Sequence, residues 1–244
     1  MAEESQSTGG VSILMPAYNL AGSIGAGIER VVAATVSLDP VEIVVVDDGS
    51  NDDTRGEAVA VASRFENVIV IGHSPNRGKG AAIQAAFAVS TQDVIVFLDG
   101  DLDLPPEQIP AFVAQLRSRG TDALVGTKQE AMEPGTYPLL RRFLSKTFSV
   151  VIRLLFRLPV RETQTGLKAF HRQPLAEVLP TLRIKRYTYD LELLVGLHRR
   201  GYTIGEAPVE LDDGATGSGV SAGTLWEMGR DTFRIWLRTI GRDA

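Results

Sequence analysis

The stretch EIVVVDDGS at residues 42–50 is the part of the sequence that decides the predicted fold. Its apolar run is continuous, whereas a strand with one solvent-exposed face would alternate apolar and polar residues. Asp47 and Asp48 end the run abruptly. The stretch therefore predicts a strand of a parallel sheet, covered by helices on both faces, with carboxylates where the backbone leaves the core.

Similar short apolar runs recur along the first half of the chain and alternate with helix-like segments. The predicted strands cover 11–16, 42–48, 67–72, 93–99 and 122–127, and the predicted helices cover 21–36, 53–64, 79–89 and 107–119. This alternation predicts a doubly wound α/β fold, with a mostly parallel sheet and helices on both of its faces.

Polar residues directly follow four of these strands. Ligands of such sheets bind beyond the carboxyl ends of the strands. We therefore expect one edge of the sheet to carry four polar groups, at residues 18–19, 47–50, 76–80 and 99–103.

The alternation ends after residue 130. The second half predicts a long helix at 138–159, a polar turn at 161–170, a helix at 189–201, a strand at 203–211 and a final helix at 224–240. The expected organisation is a disordered leader at 1–10, one α/β domain at 11–211, a flexible glycine-rich loop at 212–223 and a C-terminal amphipathic helix at 224–244.

Composition excludes several functional classes. The 244 residues are 44% apolar, which suffices for one large buried core. A formal net charge of −5 argues against a nucleic-acid partner. The absence of cysteine excludes disulfides, thiolate metal sites and a cysteine nucleophile. The polar leader lacks a signal-peptide pattern, and no run approaches the length of about 18 uncharged apolar residues that spans a membrane.

Three aspartates alternate in FLDGDLDLPP at 97–106, where their charges repel one another. A hard dication such as Mg²⁺ or Mn²⁺, completed by phosphate oxygens, would relieve this repulsion. Alternatively, the segment is a solvated turn before a helix that the prolines start. Spacing alone leaves both interpretations open.

Two other motifs are equally ambiguous by themselves. The aspartates of VVVDDGS could accept hydrogen bonds from a nucleoside, or Ser50 or Asp52 could simply cap the next helix. In SPNRGKG, Gly78 and Gly80 could admit an anion to a helix N-terminus, or could only ease the chain into the helix. The three histidines lack metal-ligand spacing and receive no role.

Five motifs in order resemble those of inverting glycosyltransferases of the GT-A fold, family 2. They are PAYN at 16–19, VVVDDGS at 44–50, NRGKGAA at 76–82, DGD at 99–101 and TGLKAF at 165–170. Within that family the chain is similar to dolichol-phosphate mannose synthases and polyprenyl-phosphate glucosyltransferases. The resemblance extends from about residue 11 to residue 211 and favours the metal-binding interpretation of the aspartates.

The resemblance implies a nucleotide-sugar donor, an Mg²⁺ or Mn²⁺ cofactor and a set of site residues. The implied donor-binding residues are Pro16, Tyr18, Asn19, Asp47, Asp48, Lys79 and Gly80, with Gln164, Thr165, Gly166, Asp190 and Glu192 around the sugar. The implied metal ligands are Asp99, Asp101 and Asp103. The implied catalytic residues are Asp99, Asp101, Lys128 near the phosphates, and Arg142 (or its neighbour Arg141) with Ser145 facing the acceptor phosphate.

The sequence departs from the family pattern at two places. Relatives usually continue PAYN with glutamate, and this chain has Leu20. Many relatives carry arginine and lysine in the late loop, where this chain has Gly214 and Val220. The role of that loop in holding phosphate is therefore in doubt.

The implied reaction is a single displacement, with inversion, from a UDP-sugar in preference to GDP-mannose onto a polyprenyl phosphate. A sugar hydroxyl would need a carboxylate base during attack. A lipid phosphate already carries negative charge, because its second pKa is about 6. It needs cations and a stabilised leaving group instead.

Two helices suggest how a lipid acceptor is reached. Arg142, Lys146, Arg153 and Arg157 form one basic stripe on the otherwise apolar helix at 138–158. In the C-terminal helix, an apolar set and an arginine set are expected on opposite sides: Leu225, Trp226, Phe233, Trp236, Leu237 and Ile240 against Arg230, Arg234 and Arg238. The first helix could instead be buried in the core, and the last could simply dock on the domain. The patterns favour a cytoplasmic protein peripheral to the membrane, bound to its surface or to a separate membrane-anchoring subunit.

Other functional classes stay open. A soluble family 2 transferase with a small hydroxyl or polysaccharide acceptor would use Asp190 or Glu192 as its base. A nucleotidyltransferase would need a glycine-rich basic loop after the first strand, where this chain has PAYNLAGS. A non-catalytic module that binds nucleotide-sugar is the third alternative.

Overall fold

The computed structural model describes residues 9–128, 152–186, 188–212 and 222–240. In these ranges seven strands form one sheet, in the order β3-β2-β1-β4-β6-β5-β7. The strands are β1 (Val11–Ala17), β2 (Val41–Asp47), β3 (Val68–Gly72), β4 (Val94–Phe97), β5 (Ala123–Lys128), β6 (Lys168–His171) and β7 (Ile204–Val209).

Helices cover both faces of this sheet, as the sequence predicted. They are α1 (Ile24–Ala34), α2 (Thr54–Ala62), α3 (Lys79–Val89), α4 (Ile109–Arg119), α5 (Arg172–Val178), α6 (Tyr189–Arg199) and α7 (Ala222–Ile240), with 3₁₀ turns at Pro106–Gln108 and Leu179–Thr181. Residues 152–159 are the described part of the long helix predicted at 138–159, and only 152–156 are helical. The predicted end was therefore wrong, and Arg157, with a φ of 52°, lies beyond the helix. No described helix has the length and apolar character required to cross a membrane.

The continuous apolar run of β2 has the physical reason that the sequence suggested. Ile43 and Val45 pack into the apolar cluster on one face of the sheet, and Val44 and Val46 into the cluster on the other. Strands β1 to β4 pair in parallel, so their carboxyl ends share one edge. The predicted doubly wound core is confirmed.

The prediction of a polar turn over the whole of 161–170 was wrong for its last residues. Lys168–His171 forms β6, which pairs antiparallel with both β4 and β5. Its first residue is a lysine that is 1% exposed. A charge at the start of a four-residue strand breaks the apolar pattern, which is why the sequence concealed the strand. Helix α5 was not predicted either.

Helix α7 docks on the domain through a face that the sequence did not single out. Met228, Thr232 and Ile235 are buried against the domain, and Trp236 is partly buried. The outward face carries Trp226, Phe233 and Leu237, with Arg230 and Arg234 also exposed. The predicted separation of apolar residues from arginines was wrong, because the helix spacing places Arg230 four residues after Trp226 and three before Phe233, on the same side.

Several predictions fall outside the described residues. They concern Arg141, Arg142, Ser145 and Lys146 of the long helix, the leader at 1–8, and the glycine-rich segment at 213–221 with its Gly214 and Val220.

Candidate active site

The turns after β1 and β2 are joined by hydrogen bonds at the carboxyl edge. The Asn19 amide donates to Ser50 Oγ at 2.9 Å, and the Asn51 amide donates to Asn19 Oδ1 at 2.9 Å. Tyr18 is 43% exposed beside them, and its hydroxyl lies 3.4 Å from Asn51 Nδ2. The polar group predicted for the nucleoside is therefore assembled, with an aromatic ring open to solvent.

The two aspartates after β2 are buried and bonded within the protein. Asp47 Oδ1 accepts the Ser50 amide at 3.1 Å. Asp48, which is 3% exposed, accepts the amides of Arg77 and Gly78, each at 2.9 Å. Its other partners are Asn76 Nδ2 at 3.0 Å and His73 Nε2 at 2.6 Å. Asp48 thus fixes the loop after β3.

His73 is a site-supporting residue that the sequence did not reveal. It contacts a residue 25 positions earlier in the chain, and no motif spacing links the two. Only the parallel pairing of β2 with β3, which places Asp47 opposite Gly72, brings them together.

The glycines of NRGKG serve close packing. The Gly78 amide donates to Asp48, and the Gly80 amide donates to the Lys185 carbonyl at 2.9 Å. A Cβ on Gly80 would lie 2.5 Å from the Tyr189 ring. These two amides already have acceptors inside the protein. The contacts therefore support the alternative in which the glycines ease the chain into the helix, and not the one in which they admit an anion.

The aspartate-rich loop lies directly against the end of β1. The Gly100 amide donates to the Pro16 carbonyl at 3.2 Å, and a Cβ on Gly100 would approach that oxygen to 2.7 Å. Asp99 and Asp103 are partly buried and Asp101 is exposed. Desolvation and the negative charge of Asp99, with a smaller contribution from Asp103, raise the pKa of Asp101. The loop therefore holds like charges close together.

A row of alternating charges runs from this loop into the core. Lys79 Nζ lies 2.7 Å from Asp99 Oδ1 and 3.7 Å from Asp190 Oδ2. Lys168 Nζ lies 2.8 Å from Asp190 Oδ1 and donates to the Thr165 carbonyl at 2.6 Å. The motif TGLKAF contains Lys168, but the sequence did not indicate that its ammonium reaches the site.

The pKa shifts along this row follow from burial and charge. Burial lowers the pKa of Lys168 despite the opposing effect of Asp190. Burial also acts on Lys79, but Asp190 and Asp99 outweigh it and raise the pKa of Lys79. Burial would raise the pKa of Asp190, yet Lys168 and Lys79 lower it. Burial thus disfavours the charged form of Lys168, whereas the opposite charges around them favour the charged forms of Lys79 and Asp190.

The predicted sugar-lining turn at 164–166 packs against Asp99. Gln164 is exposed, whereas Thr165 and Gly166 are buried. A Cβ on Gly166 would lie 2.6 Å from Asp99 Oδ2. This position therefore requires glycine if Asp99 is to keep its place.

Two other predicted residues make no described contact with this row. Lys128 ends β5 and is exposed. Glu192 turns away: its Oε2 accepts the amides of Arg183 and Ile184 at 2.9 and 2.7 Å, and its Oε1 accepts from Arg238 at 2.7 Å. The structure thus gives Glu192 the task of holding helix α7.

The other side of the aspartate loop is tied to the segment after β7. Arg30 donates to Glu107 at 2.8 and 2.9 Å and to Asp212 at 2.6 Å, and these partners raise the pKa of Arg30. The Asp212 amide donates to the Asp103 carbonyl at 2.9 Å. Sequence separation concealed this contact, because Arg30 and Asp212 lie 182 positions apart.

The chemistry of the aspartates fits a dication that takes few protein ligands. Across the described residues, no group of three or more histidine or acidic side chains forms a ready-made metal cage. Mg²⁺ commonly takes only one or two carboxylates, with waters and substrate phosphates completing its shell. Lys79 neutralises Asp99, so Asp101 and Asp103 are the carboxylates left for such an ion.

Comparisons with known proteins agree with this architecture. The sequence profile described as "Glycosyl transferase family 2" matches residues 12–179. A dolichyl-phosphate beta-glucosyltransferase of Trichomonas vaginalis is 29% identical over 80% of this chain and 61% of its own length. An undecaprenyl-phosphate 4-deoxy-4-formamido-L-arabinose transferase of Pectobacterium atrosepticum is 35% identical over 69% of this chain and 51% of its own length.

The fold also matches a solved structure. Glucosyl-3-phosphoglycerate synthase from Mycobacterium tuberculosis, in complex with Mn²⁺, UDP and phosphoglyceric acid, superposes with a TM-score of 0.71 at 21% identity, over 94% of this chain and 78% of that one. This likeness confirms the predicted GT-A fold. The chain spans 51–61% of the length of the two relatives above. On the profile match and the motif order together, the chain belongs to glycosyl transferase family 2.

Proposed function

We propose that the protein transfers a hexose from a nucleotide-sugar to a polyprenyl phosphate, with inversion, in a metal-dependent single displacement. A UDP-sugar is the favoured donor. The observation that carries the proposal is the charge pattern at the carboxyl edge. Lys79 neutralises Asp99, whereas Asp101 and Asp103 have no cation partner among the described residues.

The residues at this edge divide the work of donor binding. Tyr18 and Asp47 would hold the nucleoside, and the turn at 164–166 would lie against the sugar. Asp101 and Asp103 would hold the Mg²⁺ or Mn²⁺ ion, while Asp99, the third predicted ligand, is paired with Lys79. When bound, that ion supplies charge neutralisation of the diphosphate leaving group. Lys79, held at Asp99, adds a fixed positive charge next to the diphosphate.

The state of the buried carboxylates favours a phosphate as the attacking group. A hydroxyl acceptor needs a base with a pKa near the working pH. Asp190 is held between two lysines that lower its pKa, and Glu192 is bonded to Arg238 and two backbone amides. Both carboxylates are therefore already engaged by partners within the protein. A lipid phosphate needs no base. The two relatives described above are named as dolichyl-phosphate and undecaprenyl-phosphate transferases.

The outward face of α7 suits a lipid surface. Trp226, Phe233 and Leu237 are 75%, 55% and 52% exposed, and Arg230 and Arg234 lie among them. Tryptophan and arginine together are typical of helices that lie in the interface of an anionic bilayer. Leu154, 74% exposed next to Arg153, repeats the combination. We infer that this face brings the protein to its lipid acceptor, directly or together with a membrane subunit.

An acceptor comparison tests the proposal. The purified protein is incubated with Mn²⁺ and radiolabelled UDP-glucose or GDP-mannose, and with polyprenyl phosphate, the matching polyprenol or 3-phosphoglycerate. Label is expected in the organic phase with polyprenyl phosphate only. Transfer to the polyprenol would indicate a hydroxyl acceptor, transfer to 3-phosphoglycerate a soluble one, and no transfer with any donor would contradict catalysis.

A further inference from the structure

Lys168 is a buried cation to which the reaction above gives no task. Its side chain is 1% exposed, and its Nζ contacts only oxygen atoms, those of Asp190 and the Thr165 carbonyl, in the described contacts. Burying a charged group is costly unless it is well paired. A chain that needed only a packed strand here would be served better by an apolar residue.

The position of Lys168 in the sheet explains its reach. It begins β6, where it pairs with Phe97 of β4 on one side and Val125 of β5 on the other. Phe97 lies two residues before Asp99. Side chains two residues apart on a strand share a face, so Lys168 lies on the same face as Phe170, which packs against Phe97 with ring centroids 4.8 Å apart. That face is the one covered by α6, whose first turn carries Asp190.

The distances show how the buried pair affects the edge. Asp190 has two lysines in reach, Lys168 at 2.8 Å and Lys79 at 3.7 Å. Lys79 lies closer to Asp99, at 2.7 Å. Without Lys168, Asp190 would be a buried carboxylate with Lys79 as its nearest cation. The strong penalty for an unpaired buried charge would then draw Lys79 inward and leave Asp99 without its partner.

We propose that Lys168 is a positioning residue for the metal and diphosphate site, which it controls from the core through Asp190 and Lys79. By holding Asp190, it leaves Lys79 on Asp99, so that these four charges cancel and the loop presents the charge of Asp101 and Asp103 to a dication. The proposal rests on the proposed function, because it takes the aspartate loop as the metal site.

The test compares Mn²⁺ affinity, measured from free Mn²⁺ by electron paramagnetic resonance, with and without UDP. Lys168→Met removes one positive charge and should tighten Mn²⁺ binding at least about tenfold, because one unit charge then stops repelling a dication roughly 10 Å away at an effective dielectric constant of about 20. Lys168→Met combined with Asp190→Asn removes both charges of the pair. This double variant should bind Mn²⁺ within about twofold of the wild type. Its two uncharged side chains of similar shape leave no unpaired carboxylate to draw Lys79 away from Asp99.

Two controls separate charge from folding. Lys185→Met makes the same change at an exposed lysine whose carbonyl, not its ammonium, contacts Gly80, and it should leave Mn²⁺ affinity unchanged. Urea denaturation of each variant reports stability. If Lys168 has a purely structural role, its replacement should weaken Mn²⁺ binding in step with the loss of stability. If it is a positioning residue, its replacement should tighten Mn²⁺ binding although stability falls.

The outcomes are distinguishable. Unchanged or weaker Mn²⁺ binding by Lys168→Met overturns the positioning role. If that variant cannot be purified, the double variant decides, and Mn²⁺ binding much weaker than the wild type overturns the role. Absence of Mn²⁺ binding by the wild-type protein, even with UDP, or unchanged binding by Asp101→Asn, overturns the metal site of the proposed function instead.

Discussion

Gly166 lies so close to Asp99 that a Cβ at this position would approach the Asp99 Oδ2 atom to 2.6 Å. The turn that was predicted to line the sugar is therefore in direct contact with the predicted metal loop. The contact makes the geometry of one depend on the other, and it can be tested by adding a single methyl group.

Gly166→Ala should lower sugar transfer at least about tenfold, equivalent to about 1.4 kcal/mol of transition-state stabilisation. The φ of Gly166 lies outside the left-handed region, so the added methyl acts by displacing Asp99 and not by straining the backbone. The measurement is kcat/KM for the donor with Mn²⁺. Gly229→Ala is the matched control, because nothing lies within 4 Å of its Cβ. Equal activity of both variants would show that Asp99 tolerates displacement.

Arg30→Met should loosen the aspartate loop from its outer side. Arg30 joins Glu107 to Asp212, and the Asp212 amide bonds to Asp103. Because Arg30 is 40% exposed, the loss of stability should be small, about 1 kcal/mol, whereas the apparent affinity for Mn²⁺ in the presence of UDP should fall.

Arg64→Met is the control for this prediction. It breaks one surface ion pair with Glu29, in which both side chains are more than 40% exposed. If it lowers Mn²⁺ affinity as much as Arg30→Met does, the effect is general electrostatics and the tie to the loop is unimportant.

Arg238→Met should destabilise the docking of α7 by about 1 kcal/mol, because Glu192 then keeps only its two backbone amides as partners. Urea unfolding measures the loss, and Arg234→Met, whose partner Asp231 lies on the same helix, should have a smaller effect. The donor KM should stay unchanged. A raised KM without lost stability would restore the sequence-based role of Glu192 in binding the sugar.

Replacing Trp226 and Phe233 by serine should weaken binding to anionic vesicles at least about tenfold, because these exposed rings would no longer be buried in lipid. Thermal stability should change little, since neither side chain packs in the core. Vesicle co-sedimentation is the measurement. Val36→Ser alters another side chain that is 75% exposed, at the end of α1, and serves as the control. Equal binding by all three proteins would remove α7 from the membrane proposal.

Much of the fold could be predicted because the apolar runs are continuous. Alternate residues of β2 enter different cores, so Ile43 to Val46 had to be uniformly apolar. The same runs end in polar residues, which placed Asp48 and Asp99 at one edge. Strand β6 escaped prediction because its charged Lys168 is neutralised by Asp190, a residue 22 positions away that no local pattern connects to it.

The docking of α7 shows a different limit. The spacing of its apolar residues predicted an amphipathic helix, and the helix exists. Which face is buried depends on the surface against which the helix packs. There Glu192 pairs with Arg238, and Met228 and Thr232 are buried. The sequence grouped the large apolar residues on one side of the helix and did not single out the buried face, and the structure turns Trp226 outward.

The most direct test of the account is the position of the metal. A crystal of the protein with UDP and Mn²⁺ should show an anomalous manganese peak within coordination distance of a carboxylate oxygen of Asp101, with a diphosphate oxygen on its other side, and Asp101→Asn should remove the peak. Bound UDP without manganese at residues 99–103, or manganese held elsewhere in the protein, would contradict the claim that this loop recruits the ion for donor activation.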